Sequence, residues 1–136
     1  MSLKNIVVEG CEFEIYENEV LNSNGSVSVD PTSVVSSNTS IDSKGVYTTL
    51  AIQVSGFTSS NISNWISGSG STQAAAQVTS SALYTSVDGN SVFLEGDEAI
   101  GVVVVGKVQV GQSQVDTPCT VTVKIKSAGQ SVVTAE

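Results

Sequence analysis

Few of the 136 residues carry groups able to titrate, coordinate or attack. The tightest carboxylate cluster is Glu95, Asp97 and Glu98. Paired carboxylates perform acid–base chemistry only where a cleft drives their pKa values apart, and this trio sits at the mouth of a predicted hairpin. The same trio lacks the 12-residue loop pattern of a dedicated calcium site. The chain has no histidine, which excludes Ser–His and Cys–His nucleophile pairs. Without histidine, Cys11 and Cys119 make no zinc site either. The two cysteines either close a long loop, adding about 4–5 kcal/mol on the chain-entropy model, or serve as small apolar core residues. No glycine-rich phosphate loop occurs. The expectation is a protein that is not an enzyme, with no catalytic residues, no cofactor and no metal.

Charge narrows the partners. The net charge is −8, carried against five lysines and no arginine. Binding nucleic acid requires neutralising phosphates, and an anionic membrane surface would repel the chain, so neither is expected as a partner. No apolar run reaches the 18 residues of a membrane-spanning helix, so no stable insertion is expected. The segment from Met1 to Val8 lacks the basic region, apolar core and cleavage site of a secretory signal, which predicts synthesis in the cytoplasm without a signal peptide.

The elements that must position these groups read as strands. Valine dominates, leucine is scarce, and Ser, Thr, Gly and Asn fill most of the rest. Branched side chains suit a pleated, half-buried surface, which predicts an all-β fold in one domain spanning residues 1–136. Cys11 to Ile15 alternates apolar and acidic residues, with Glu12 and Glu14 on a wet face. Asn22-Ser23-Asn24-Gly25 predicts a turn, Ser26 to Val29 a short strand, and Pro31 to Ser43 a loop or irregular edge. Lys44 to Gly56 reads as one strand with Leu50, Ile52 and Val54 toward the core. Thr72 to Ser80, with three alanines, predicts an extended segment or at most two helical turns. Leu83–Val87 and Ser91–Glu95 flank Asp88-Gly89 as a hairpin that Gly96-Asp97 ends. Ala99 to Val105 predicts a strand buried on both faces, and Gly106 to Gln114 a turn-rich strand segment. Cys119, Val121, Val123 and Ile125 alternate with Thr120, Thr122, Lys124 and Lys126, the clearest half-buried strand. Ser131 to Thr134 predicts a last short strand. Trp65, the lone tryptophan, is a core plug or an exposed anchor, and Trp65 with Tyr47 forms the candidate interface.

The stretch from Ser80 to Asp97, with Val87-Asp88-Gly89-Asn90-Ser91-Val92-Phe93-Leu94-Glu95-Gly96-Asp97 at its centre, resembles the hairpin of PAAR and PAAR-like spike-tip proteins. Those hairpins run as a strand, Asn/Asp-Gly, a polar step, an apolar strand and Gly-Asp. Ile6–Gly10 with Cys11–Ile15 is similar to that family's opening strand pair, and Cys119–Gln130 to its closing strands, so the resemblance covers about half the chain. It departs at two points. The histidines that hold the family's tip zinc are absent, and Asn90-Ser91-Val92-Phe93 stands where the Pro-Ala-Ala-Arg signature would be. The resemblance implies a compact β cone seated on a trimeric β-helical spike or hub of a contractile phage tail or type VI-like injection machine. Its apex residues would be Asp88, Gly89, Gly96 and Asp97, with packing around Val87, Val92 and Leu94. The strand pattern suits a β-sandwich equally, and then a virion decoration or a tail or baseplate structural part, or a surface binding module, is the alternative function.

Overall fold

A computed structural model describes residues 3–136 and contains, among them, strands and turns but no helix. The strands in chain order are β1 (Lys4–Asn5), β2 (Glu12–Glu17), β3 (Val20–Asn22), β4 (Ser26–Val29), β5 (Val34–Ile41), β6 (Lys44–Thr49) and β7 (Ala51–Ser55). They continue as β8 (Ser71–Thr72), β9 (Ala76–Gln77), β10 (Ser86–Val87), β11 (Asn90–Ser91), β12 (Glu98–Val110), β13 (Ser113–Ser127) and β14 (Thr134–Ala135). The all-β expectation from valine-rich, turn-punctuated sequence is met.

The framework is a five-stranded antiparallel sheet in the order β3-β2-β13-β12-β8. A three-stranded sheet, β4-β7-β9, and three two-stranded pairs, β5-β6, β10-β11 and β1-β14, complete the body. On β13 the alternation predicted from sequence is realised: Cys119, Val121, Val123 and Ile125 are buried, while Thr120 and Lys126 are exposed. These inward residues pack with Val7, Ile15, Tyr47, Leu50, Ile52, Val54, Phe57 and Val104 in the larger core. A smaller core of Ile6, Val8, Val46, Val92, Leu94 and Ala135 lies apart from it, with Val87 packed against it.

Several expectations are corrected. Residues 34–41, expected within a loop or irregular edge, form β5 and pair with β6. Their Ser/Thr/Asn composition reflects a strand largely open to solvent on one face. The single strand expected over Lys44–Gly56 breaks at Leu50, so that β6 serves β5 while β7 pairs with β4 and β9. Ala99–Val105 is not buried on both faces: Ala99, Val102 and Val104 point inward, while Ile100 and Val103 are exposed. One face of β12 meets water, because among the described residues nothing packs over Ile100 and Val103 on the outside of the five-stranded sheet. The turn-rich strand segment expected over Gly106–Gln114 is continuous with the strand before it: β12 runs through to Val110 and reverses at Gly111-Gln112 into β13. The Asp88-Gly89 hairpin is shorter than expected, with Ser86 and Val87 pairing Ser91 and Asn90. Beyond it, Phe93 and Leu94 turn to the N-terminal segment, where the Val7 N–H donates to the Phe93 carbonyl at 2.9 Å.

Gly101 marks a bulge in β12. The register against β13 shifts between Ala99 and Val102, and Gly101 takes φ 72°, a conformation that other L-residues adopt at a cost.

Candidate functional site

The expected apex residues occupy two distinct roles. Asp88 and Gly89 form the tip of the β10–β11 hairpin with φ 53° and 81°, the left-handed pair that a two-residue type I′ turn requires. Both are exposed. Beneath the tip, Val92 and Leu94 are buried in the smaller core, so apolar packing supports the hairpin from below.

Gly96 and Asp97 do not share the tip. Gly96 turns the chain at φ 95°, and Asp97 is 5 % exposed, its carboxylate turned inward. That carboxylate accepts from the Leu94 N–H at 2.8 Å, from the Ser81 N–H at 3.2 Å and from the Ser81 hydroxyl. The Asp97 main chain joins in, because the Ile125 N–H donates to its carbonyl at 2.9 Å. One aspartate thus ties the segment before the hairpin, the strand after it and β13 together. Buried carboxylates are tolerated when donors satisfy them this fully.

The rest of the acidic trio is dispersed. Glu95 accepts from the Ala128 N–H at 3.1 Å, and Glu98 begins β12 facing Lys124 across the sheet. Among the described residues no group of three acidic or cysteine side chains is placed to hold a metal ion. Cys11 and Cys119 are free thiols. Burial pushes both up to about 11, and for Cys119 the nearby Glu17 charge adds to it, so neither is a ready thiolate.

A second buried carboxylate was not foreseen. Glu17 ends β2 on its inward face, continuing Phe13 and Ile15, and is 3 % exposed. It accepts from the Ser60 N–H at 2.8 Å, the Asn22 amide at 3.0 Å and the Ser59 hydroxyl, with the Cys119 thiol 3.5 Å away. Burial alone would raise its pKa, but the Ser59 hydroxyl, the Ser60 N–H and the Asn22 amide outweigh it, and the carboxyl lies below its ordinary value. The cluster anchors the loop from Phe57 to Gly70, whose ends exchange N–H···O bonds of 3.0 Å. The only sequence signal was a glutamate falling in phase with apolar residues.

The candidate interface residues also part. Tyr47, expected as a contact, is 7 % exposed and belongs to the larger core, because β6 turns its Tyr47 side inward. Trp65 is half-buried. Its ring meets Phe57 edge-on with centroids 6.0 Å apart, and its Nε1–H donates to the Phe57 carbonyl at 3.1 Å. The indole lies on Gly106, where an added Cβ would come within 2.0 Å of Cζ2. Trp65 therefore closes one end of the core.

A surface depression of about 580 Å³ is an open groove on the outer face beside the β12 bulge, lined by Tyr16, Glu19, Glu98, Ile100, Thr122 and Lys124 among others. The Tyr16 hydroxyl donates to Glu14 on its own strand at 3.0 Å, and the Lys124 ammonium on the neighbouring strand lies 5.9 Å from the Tyr16 ring centre. No helix among the described residues is long and apolar enough to cross a membrane.

No protein-family model matches the chain, and neither the curated proteins nor the solved structures yield a match.

Proposed function

We propose that this chain is a non-enzymatic structural protein that caps the central spike of a contractile tail or injection machine and helps it pierce the target envelope. The observation that carries the reading is the braced hairpin. Its Asp88-Gly89 tip stands on a closed apolar core, and Asp97 locks its base, the carboxylate tying Leu94 to Ser81 while the main-chain carbonyl accepts from the Ile125 N–H of β13. A tip loaded by mechanical force needs short turns and satisfied buried groups, since each unpaired buried polar group would be a point of yield. The resemblance of residues 80–97 to spike-tip hairpins supports the same reading. On it, the partner is a trimeric β-helical spike or hub protein, and the working location is the virion tail or assembled injection apparatus. No zinc serves this apex, because the chain has no histidine to hold it; packing and the carboxylate clip take its place.

Mixing the purified chain with a purified trimeric hub protein encoded beside it tests the reading. Mass photometry should find one chain per trimer. Failure to bind, or three chains per trimer, sinks it.

A second reading, a virion decoration or tail or baseplate structural part, is favoured by one observation: β12 and β13 form an arm whose β13 edge no other strand covers among the described residues. Binding to a capsid lattice instead of a hub would select it.

A further inference from the structure

The arm comprises residues 107–116, all exposed or half-buried, and turns at Gly111-Gln112 with φ 61° at Gly111, as the first position of a type II′ turn demands. Its two faces differ. Lys107 and Asp116 oppose each other on one face, 2.6 Å apart, whereas Val108 and Val115 oppose each other on the other, beside Val110. Val110 and Val115 are 57 % and 46 % exposed.

Its two edges differ as well. The β12 edge is covered: Val104 and Val105 pair with β8, the Ile66 N–H donates to the Lys107 carbonyl at 2.8 Å, and the Gln109 N–H donates to the Asn64 carbonyl at 2.9 Å. The β13 edge pairs with β2 only from Thr122 onward. The direction of its main-chain groups follows from Ile125. That residue accepts from the Gly96 N–H and donates to the Asp97 carbonyl, both on the β12 side. Groups alternate along a strand, so odd residues of β13 face β12 and even residues face away. Gln114, Asp116, Pro118 and Thr120 therefore present their main-chain groups on the open edge, with Pro118 lacking a donor. Among the described residues no strand covers this edge. Bare edges of this kind are templates for pairing.

Charge selects the occupant. Between Ala99 and Val123 the chain carries only Lys107 and Asp116, which neutralise each other, although the whole chain is at −8. The terminal strand at the other side of the sheet, β3, follows Glu17 and Glu19 and has no such neutrality. The arm is thus a place where two copies can meet without like-charge repulsion.

We propose that two copies of this chain pair antiparallel along this edge, β13 against β13, about a twofold axis at Val115. Other registers fail for stated reasons. An axis at Asp116 sets the two aspartates opposite one another, and an axis at Thr117 sets Pro118 where donors are needed. An axis at Gln114 leaves only the tip overlapped. At Val115 the open groups of Gln114 face those of Asp116 in the other copy, Pro118 falls opposite the turn residue Gln112, and the two Val115 side chains meet in a non-hydrogen-bonded pair with Cα atoms about 4.5 Å apart. The contact is confined to residues 112–118 of each copy, so the dimer forms and dissociates with concentration. The inference concerns the unassembled chain and does not rest on the spike reading.

Sedimentation of the full chain across a concentration series tests it, together with disulfide trapping. The wild type should move from one to two chain masses as concentration rises. Gln114→Pro removes a donor that only the partner uses, and Val115→Lys sets two ammonium groups side by side. Each should raise the dissociation constant about tenfold or more, with thermal midpoint and circular dichroism spectrum showing that the fold persists. Under mild oxidation Val115→Cys should trap a dimer, whereas Thr117→Cys and the wild type, with its half-buried Cys11 and buried Cys119, should not. A wild-type chain that stays monomeric at millimolar concentration, a dimer insensitive to both variants, or trapping through Thr117→Cys in place of Val115→Cys overturns the proposal.

Discussion

Two side chains, Asp97 and Glu17, organise more of this molecule than their size suggests. Asp97→Ala would strand the Leu94 and Ser81 donors in a covered site, and we expect a loss of about 2–4 kcal/mol in urea unfolding. Asp97→Asn, which retains an acceptor, should cost less than half of that. Glu17 and Asp30 predict the pH dependence. For Glu17, burial is overcome by the Ser59, Ser60 and Asn22 donors; for Asp30, the Thr32 hydroxyl and N–H act first and Gln53 assists, against desolvation. Both carboxyls therefore have folded pKa values below their unfolded ones. Such a group stabilises the fold fully above its unfolded pKa, about 4 for these residues, and loses that contribution as pH falls through the folded value. The melting temperature should be flat near neutrality and drop below about pH 4.5. Glu17→Gln should flatten that drop, and an unchanged pH profile would contradict the assignment. Neither role was open to inspection of the sequence. Asp97 stood out as a turn residue, but its donors lie 16 positions back at Ser81 and three back at Leu94. The Glu17 donors Ser59 and Ser60 are 42 and 43 positions on, in a stretch whose serines read as generic loop.

Strands whose two faces differ in polarity can be read from sequence, whereas those open to solvent cannot. β13 declared itself by strict alternation, and the buried row Leu50, Ile52 and Val54 did so as well. β5 was hidden because a strand with few buried side chains imposes no apolar period. Turn chemistry explains other misses: Asp88-Gly89 follows the usual preference, but Asn18-Glu19 and Asp42-Ser43 reverse their chains with positive φ at a second residue, Glu19 or Ser43, that seldom accepts it. Glu19, at φ 65°, is the least suited. Glu19→Gly should therefore stabilise the protein by about 0.5–1 kcal/mol, measured by chemical denaturation. The Trp65 loop is governed by contact instead. Gly106→Ala would drive a methyl group into the indole and expel it, costing about 1–3 kcal/mol and shifting Trp65 fluorescence to the red. An unshifted spectrum would mean that the ring does not rest on this strand.

At the scale of the molecule, non-local pairing dominates. β1 meets β14, with Lys4 opposite Ala135, and β2 pairs with β13 across most of the chain. Loop closure of that length must precede much of the favourable packing, so refolding should take milliseconds to seconds in stopped-flow experiments. Submillisecond refolding would contradict the topology. The meeting of β1 and β14 also has a practical sequel. Because residues 4 and 135 are ladder neighbours, roughly 5 Å apart in such a pair, this body could be spliced as a cassette into a surface loop of a host protein without prising the host's strands apart, and a short bridge across the gap would let the chain be reopened at Asp42-Ser43 as a circular permutant.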